Sequence, residues 1–235
     1  NVFAHADDLK SMALSMKNLL KPSGKIVIEV QYLLNTLNDL TFDNIYHEHF
    51  NYWSLSTLKN FLENLGLTIF KAEKINTHGG SIRVYVAHDQ NLNVDDSVKK
   101  LLNEEEKFGL SNITTYLDFG KKITKLKSQI SNNLKKIKQK HKKVVGYGAP
   151  AKATTTLNFY HINKEIDYLV DDNPLKNGKY VPGVQIPIQN KFKNEEIDLI
   201  IVLAWNYFNE IKSKTSKFAK KIISIKDLEK KIFNL

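Results

Sequence analysis

Tyr46, His47, Glu48 and His49 occupy four consecutive positions, and Phe50, Asn51, Tyr52 and Ser54 follow at once. A phenol, two imidazoles and a carboxylate in one short stretch supply more proton-transfer capacity than a loop needs for solubility. Histidine exchanges protons near neutral pH, so the stretch reads as a catalytic centre. A second stretch with chemical potential is Gly146-Tyr147-Gly148-Ala149-Pro150-Ala151-Lys152-Ala153, directly after the apolar Val144-Val145. It reads as a strand turning into a helix around a ligand. Gly146 and Gly148 permit close backbone approach, and the helix N-terminus offers N–H groups to an anion. The same glycines equally suit a tight turn that holds nothing. Asp171-Asp172-Asn173-Pro174 ends the next strand, where Asp171 and Asn173 suit a ribose or base contact, or an Asx turn and a helix cap before the proline.

These residues need elements to place them. From Asp7 to about Leu20, the positions Leu9, Met12, Leu14, Met16, Leu19 and Leu20 fit an amphipathic helix, stopped by Lys21-Pro22-Ser23-Gly24. Lys25 to Val30 is a β-branched run that reads as a buried parallel strand, and open α/β sheets place ligands at the C-terminal ends of such strands. Gln31 to Asn44 delivers the Tyr46 to His49 stretch to that edge. Ser54 to Leu65 reads as a helix with Ser54 or Ser56 as its cap and Gly66 at its stop. Leu67 to Ile75 and Ser81 to Ala87 read as strands. Between them, the Gly79-Gly80-Ser81 turn is either a backbone-approach loop beside a substrate or a plain hairpin. Arg83, the sole arginine, suits a phosphate or a stabilising ion pair.

Beyond residue 90, Ile123, Leu126, Ile130, Leu134 and Ile137 recur at spacings of three and four, which predicts a long amphipathic helix with a lysine-rich outer face. From Lys142 strands and helices alternate: strand 143–147, helix 151–159, strands 166–170 and 198–203, helix 207–218, strand 221–225 and a terminal helix from Asp227. That alternation predicts a Rossmann-like α/β domain.

The chain has 235 residues, 42% of them apolar, enough for one large or two modest cores. No apolar run reaches the 18 or more residues of a membrane span and no signal peptide is visible, so the expectation is a cytoplasmic protein without a membrane partner. Absence of cysteine removes disulfides and thiolate zinc sites from these residues. The net charge is +10, yet all but one of the 35 basic residues are lysines scattered along the chain. Base readout and phosphate forks favour arginine, so nucleic acid is not an expected partner. His47 and His49 could both face a metal from one strand face, but no third ligand is marked and no metal is expected. The opening Asn1-Val2-Phe3-Ala4-His5 reads as the end of a strand and a loop, as though the chain begins inside a fold.

Asn1 to Asp8, the Tyr46-His47-Glu48-His49 box with Tyr52 and Ser54, His78-Gly79-Gly80-Ser81-Ile82-Arg83, and Gly146 to Lys152 stand in an order and spacing that resembles the sugar C-methyltransferases. The resemblance runs through nearly the whole chain, and the Tyr46 to His49 box is its most specific part. It implies the C-terminal half of a class I, Rossmann-like methyltransferase domain over residues 1–90, a helical bridge over 91–141, and a second Rossmann-like α/β domain, binding a nucleotide sugar, over 142–235. The active site would lie in the cleft between the two domains. The cofactor implied is S-adenosylmethionine, whose main glycine-rich loop is not in this chain; nor is the family's cysteine-rich zinc module. The substrate implied is a small molecule, a keto-deoxysugar linked to a nucleotide such as thymidine diphosphate.

Methylation at carbon requires a proton to leave next to the ketone, the enolate to be held, and that carbon to attack the methyl group. The resemblance implies His49 as the base, with Glu48 orienting it or binding the sugar, and His5 and Tyr46 lining the reaction centre. It implies substrate contacts from His47, Tyr52, Gly79, Gly80, Ser81 and Arg83, and from Gly146, Tyr147, Gly148, Ala149, Lys152, Asp171 and Asn173. Two rivals remain: a non-catalytic module that only binds the nucleotide sugar, and an isomerase or epimerase that uses the same base without a methyl donor.

Overall fold

The structure, a computed structural model, describes residues 2–88 and 92–229. They form two compact units, Asn1–Lys121 and Lys122–Leu235. In the first, a 3-10 turn at Phe3–His5 precedes helix α1 (Leu9–Leu19), whose cap Asp8 accepts the Ser11 N–H at 3.0 Å. Strand β1 (Ile26–Gln31), helix α2 (Leu33–Asn38), a 3-10 turn at Phe42–Asn44 and helix α3 (Leu55–Glu63) follow. Ser54 is the α3 cap, in a reciprocal capping box with Thr57. Strands β2 (Leu67–Ile75) and β3 (Ser81–His88) and helices α4 (Asp96–Phe108) and α5 (Ile113–Lys140) complete the order, α5 passing from the first unit into the second.

The first sheet has the order β1-β3-β2, with β3 antiparallel to both neighbours. The two strands read at 67–75 and 81–87 are thus present, as an antiparallel pair. The parallel strand expected at 25–30 is corrected: β1 runs in the same direction as β2, but the strand it bonds is the antiparallel β3. A β-branched run does not reveal burial on one face only. Ile28 and Val30 are buried here, whereas Val27 is 54% exposed. The core joins Ile28, Val30, Ile69, Ile82, Val84 and Val86 of the sheet to Leu58 and Leu62 of α3 and to Val98 and Leu101 of α4. Each such side chain contributes on the order of 2 kcal/mol through burial. Of the stretch read as a bridge, α4 thus packs into the first core, while Ile123, Ile130, Leu134 and Ile137 of α5 are buried in the part assigned to the second unit.

The second unit contains β4 (Val144–Tyr147), α6 (Ala151–Tyr160), β5 (Tyr168–Val170), β6 (Ile188–Gln189), β7 (Ile197–Val202), α7 (Phe208–Thr215) and β8 (Ala219–Ser224). The five strands pair in parallel in the order β6-β5-β4-β7-β8. The order reverses between β4 and β7, so the ligand-binding position typical of such sheets is at the carboxyl ends of those strands. The Rossmann-like alternation is present, with one addition: β6 is only two residues long and has no visible sequence period. In place of the start of a terminal helix at Asp227, the chain makes a 3-10 turn at Ile225–Glu229; the rest of that predicted helix lies outside the described residues.

Candidate active site

The first-unit site is built where the chain's opening turn meets the Tyr46 to His49 stretch. The Ala4 carbonyl accepts the N–H groups of Phe50 and Asn51, at 3.1 and 3.3 Å, and the Asn51 amide donates to the Ala6 carbonyl at 3.5 Å. This backbone clamp brings the His5 ring edge-on to His49, with centroids 4.8 Å apart. Tyr46 lies 4.2 Å and Tyr52 6.3 Å from the same imidazole. Four of the predicted residues therefore share one cluster.

The hydrogen bonds of His49 determine its tautomer. Its Nδ1 is 2.8 Å from the Asn44 carbonyl oxygen, which can only accept, so Nδ1 carries the proton. The neutral ring then has its lone pair on Nε2, and the Tyr46 hydroxyl donates to it at 3.0 Å. Burial, and secondarily the Glu48 charge, raise the Tyr46 phenol above its ordinary pKa, and burial does the same to Tyr52. Both phenols remain protonated donors at neutral pH. Glu48 and His47 face outward, their side chains 55% and 85% exposed, with His47 Nε2 3.9 Å from Glu48 Oε1. The His49 ring is held by Asn44 and Tyr46.

Three surrounding elements hold this loop in place. At the end of β1, the Tyr32 N–H donates to Gly80 O and the Leu33 N–H to Trp53 O, tying the hairpin and the loop exit to one point. Gly80 has φ +107°, and a Cβ there would collide with the Asn35 side chain, so the turn needs glycine for both reasons. Ser81 is buried and its hydroxyl donates to Thr77 O at 3.0 Å. At the loop's exit, the carboxylate of Glu105, buried on α4, accepts the N–H groups of Leu55 and Ser56 in the first turn of α3. It also lies against the fully buried Tyr32, whose phenol is pushed up by burial first and by the Glu105 charge second. The signal that could have found Glu105 is its spacing: it stands seven residues after Val98 and four after Leu101, on the buried face of α4, whereas Glu104 and Glu106 fall off that face.

Arg83 stands on β3 directly across from Glu29 on β1 and Glu73 on β2. Its guanidinium donates to Glu29 Oε2 at 2.9 Å and lies 3.5 Å from Glu73 Oε1, so it links the three strands.

In the second unit, the Gly146 to Lys152 turn is braced from within. A side chain at Gly146 would run into Leu169; Gly148 has φ +91° and a Cβ there would lie 2.8 Å from that of Ala204. The Gly148 N–H donates to Val170 O, and the Ala149 N–H to Asp171 Oδ2 at 2.7 Å. Asp171 also accepts the Asn173 N–H and the Lys176 ammonium. Burial opposes its charge, but these three donors outweigh burial and hold its carboxyl below the usual range. Asn173 accepts the Leu175 N–H as a cap. Tyr147 and Lys214 both donate to Asp172 Oδ1, at 2.8 and 2.6 Å. The Lys152 ammonium lies over the Trp205 ring, 5.3 Å from its centroid. Among the described residues, no group of three side chains is arranged to hold a metal ion, and no helix is long and apolar enough to cross a membrane.

The family model described as C-methyltransferase C-terminal domain matches residues 76–224, more than half of the chain. This chain belongs to the C-methyltransferase family. A methyltransferase domain model matches residues 1–72. The chain is also similar to C-methyltransferase NovU of Streptomyces niveus, 34% identical over 220 residues, covering 92% of this chain and 52% of NovU. It thus spans about half the length of the curated relative it matches.

Methyltransferase families in general use S-adenosylmethionine. The strand-to-helix junction from β1 to α2 passes through Tyr32, which is buried, contains no glycine, and has its N–H bonded to Gly80. Among the described residues, that closed junction does not fit the cofactor as a cradle.

Proposed function

We propose that this chain supplies the proton-abstracting part of an enzyme that methylates a carbon next to a ketone in a nucleotide-linked keto-deoxysugar, with thymidine diphosphate as the carrier. The observation that carries the reading is the imidazole of His49: Nδ1–H is fixed on the Asn44 carbonyl and the basic Nε2 is turned toward a protonated phenol. When a ketone enters, the Tyr46 hydroxyl transfers its hydrogen bond from Nε2 to the ketone oxygen. Nε2 then takes the proton from the neighbouring carbon. The resulting imidazolium keeps its second N–H on Asn44, and the enolate oxygen is held by the un-ionised Tyr46 phenol, with His5 beside the same ring. Glu48 and His47, at the exposed edge of the loop, contact the sugar.

S-adenosylmethionine, when bound, supplies the methyl group. The nucleotide is assigned to the strand ends of the second unit, at Tyr147 to Lys152. The Gly148 and Ala149 N–H groups already have partners, so the phosphates are assigned to the N–H groups in the first turn of α6, where the Lys152 ammonium lies over the Trp205 ring. The test is His49→Asn in the intact enzyme: methyl transfer falls by about 10³-fold, within the range of general-base contributions, while nucleotide affinity stays within about twofold. Turnover like that of the wild type would remove His49 from the role of base.

A further inference from the structure

A cleft of about 300 Å³ in the second unit overlaps the residues assigned above only at Tyr147. Its lining joins the carboxyl ends of three strands, where Tyr147 closes β4, Val170 closes β5 and Asn190 follows β6, to Phe192 on the segment leading into β7 and Phe218 just before β8. One wall is aromatic. The Phe192 and Phe218 rings stack at 4.5 Å and 28°, and Tyr147 lies 5.9 Å from Phe192. Phe218 is 40% exposed, a large apolar ring left open at the rim. The polar end is Asp172, held ionised chiefly by its hydrogen bond from Lys214 and also by that from Tyr147. Both donors reach the same oxygen, Oδ1, which leaves Oδ2 to accept from a ligand. Lys214 and Asn190 add donors at the same rim.

An aromatic wall beside one carboxylate acceptor and two donors suits a flat heterocycle that shows an N–H next to a carbonyl. At this size the cleft has room for a base and part of its ribose, at the small end of ligand pockets. We propose that it is the nucleobase site of the nucleotide-linked substrate, an inference that rests on the nucleotide-sugar reading, and that it selects bases with a ring N–H beside a carbonyl. Thymine, uracil and guanine meet that requirement: the ring N–H donates to Asp172 Oδ2, and Lys214 or Asn190 donates to the carbonyl. Adenine and cytosine present a ring nitrogen lone pair at the same place, against the carboxylate. The stacked phenylalanines bind the face of any base and do not discriminate.

Calorimetric titration of the chain with dTDP, UDP, GDP, ADP and CDP tests this, with inorganic pyrophosphate as the control. The first three bind about tenfold or more tighter than ADP and CDP. Asp172→Asn brings the five within about threefold of one another, and Phe218→Ala weakens all five by about tenfold without changing pyrophosphate binding. Phe218→Leu, which keeps the rim apolar, separates lost stacking from any loss of fold and gives an intermediate affinity. Equal binding of all five nucleotides, unmoved by Asp172→Asn and Phe218→Ala, overturns the cleft assignment and leaves the nucleotide reading in place. If no nucleotide binds at all, both are overturned.

Discussion

The two units arrange their polar groups in opposite ways. Around His49 the ring partners carry no charge: a backbone carbonyl on one nitrogen, and phenols kept protonated by burial on the other side. At the strand ends of the second unit the groups are charged and matched, Asp171 with Lys176 and backbone N–H groups, Asp172 with Lys214. A site that must take up and return a proton needs a group poised near neutrality, and a fixed charge beside it would push the equilibrium to one side. A site that only holds a ligand gains from charges that never change. On the proposed reading, the first unit does the chemistry and the second holds the ligand.

The largest expected effect breaks this contrast on the first side. His49→Asn in the intact enzyme removes about 10³-fold of methyl transfer and leaves nucleotide binding by calorimetry unaltered. Tyr46→Phe follows. Losing the donor to the enolate oxygen lowers kcat by about 10²-fold with little change in KM for the nucleotide sugar. A fall confined to KM would instead place Tyr46 in ground-state binding.

Much of the architecture was readable beforehand, because helix and strand periods and cap residues are local. Ser54 heads α3, and the parallel alternation after Lys142 produced the expected sheet. Contacts between distant strands were not readable. Arg83 could be assigned to neither a phosphate nor an ion pair until the sheet register set it opposite Glu29 and Glu73, a register that a parallel β1 would not produce. The partner of His49 Nδ1 is a backbone carbonyl, which has no residue signature. Glu105 falls on the apolar face of α4, seven residues after Val98, but that its carboxylate there caps α3 depends on packing between distant segments.

Glu105→Ala sharpens the comparison by a smaller amount. It leaves two N–H groups of α3 without their acceptor and destabilises the first unit by about 1–3 kcal/mol in urea unfolding. Glu105→Gln recovers part of this, because an amide oxygen still accepts. An unchanged midpoint for Glu105→Ala would mean that solvent replaces the carboxylate. The smallest effect is in acid. Asp171 has a folded pKa below its ordinary value of 3.8, so its stabilisation is present above about that pH and is lost as the pH falls through the lower folded value. Thermal melts between pH 5 and pH 2, at about one-unit intervals, should show a steeper acid loss for the wild type than for Asp171→Asn.

Solvent-deuterium exchange at the carbon next to the ketone, followed in the intact enzyme without a methyl donor, isolates the step given to His49. The wild type is expected to exchange that proton, and His49→Asn to exchange it at least about 10²-fold more slowly. Equal exchange in the two proteins would contradict the assignment of His49 as the base.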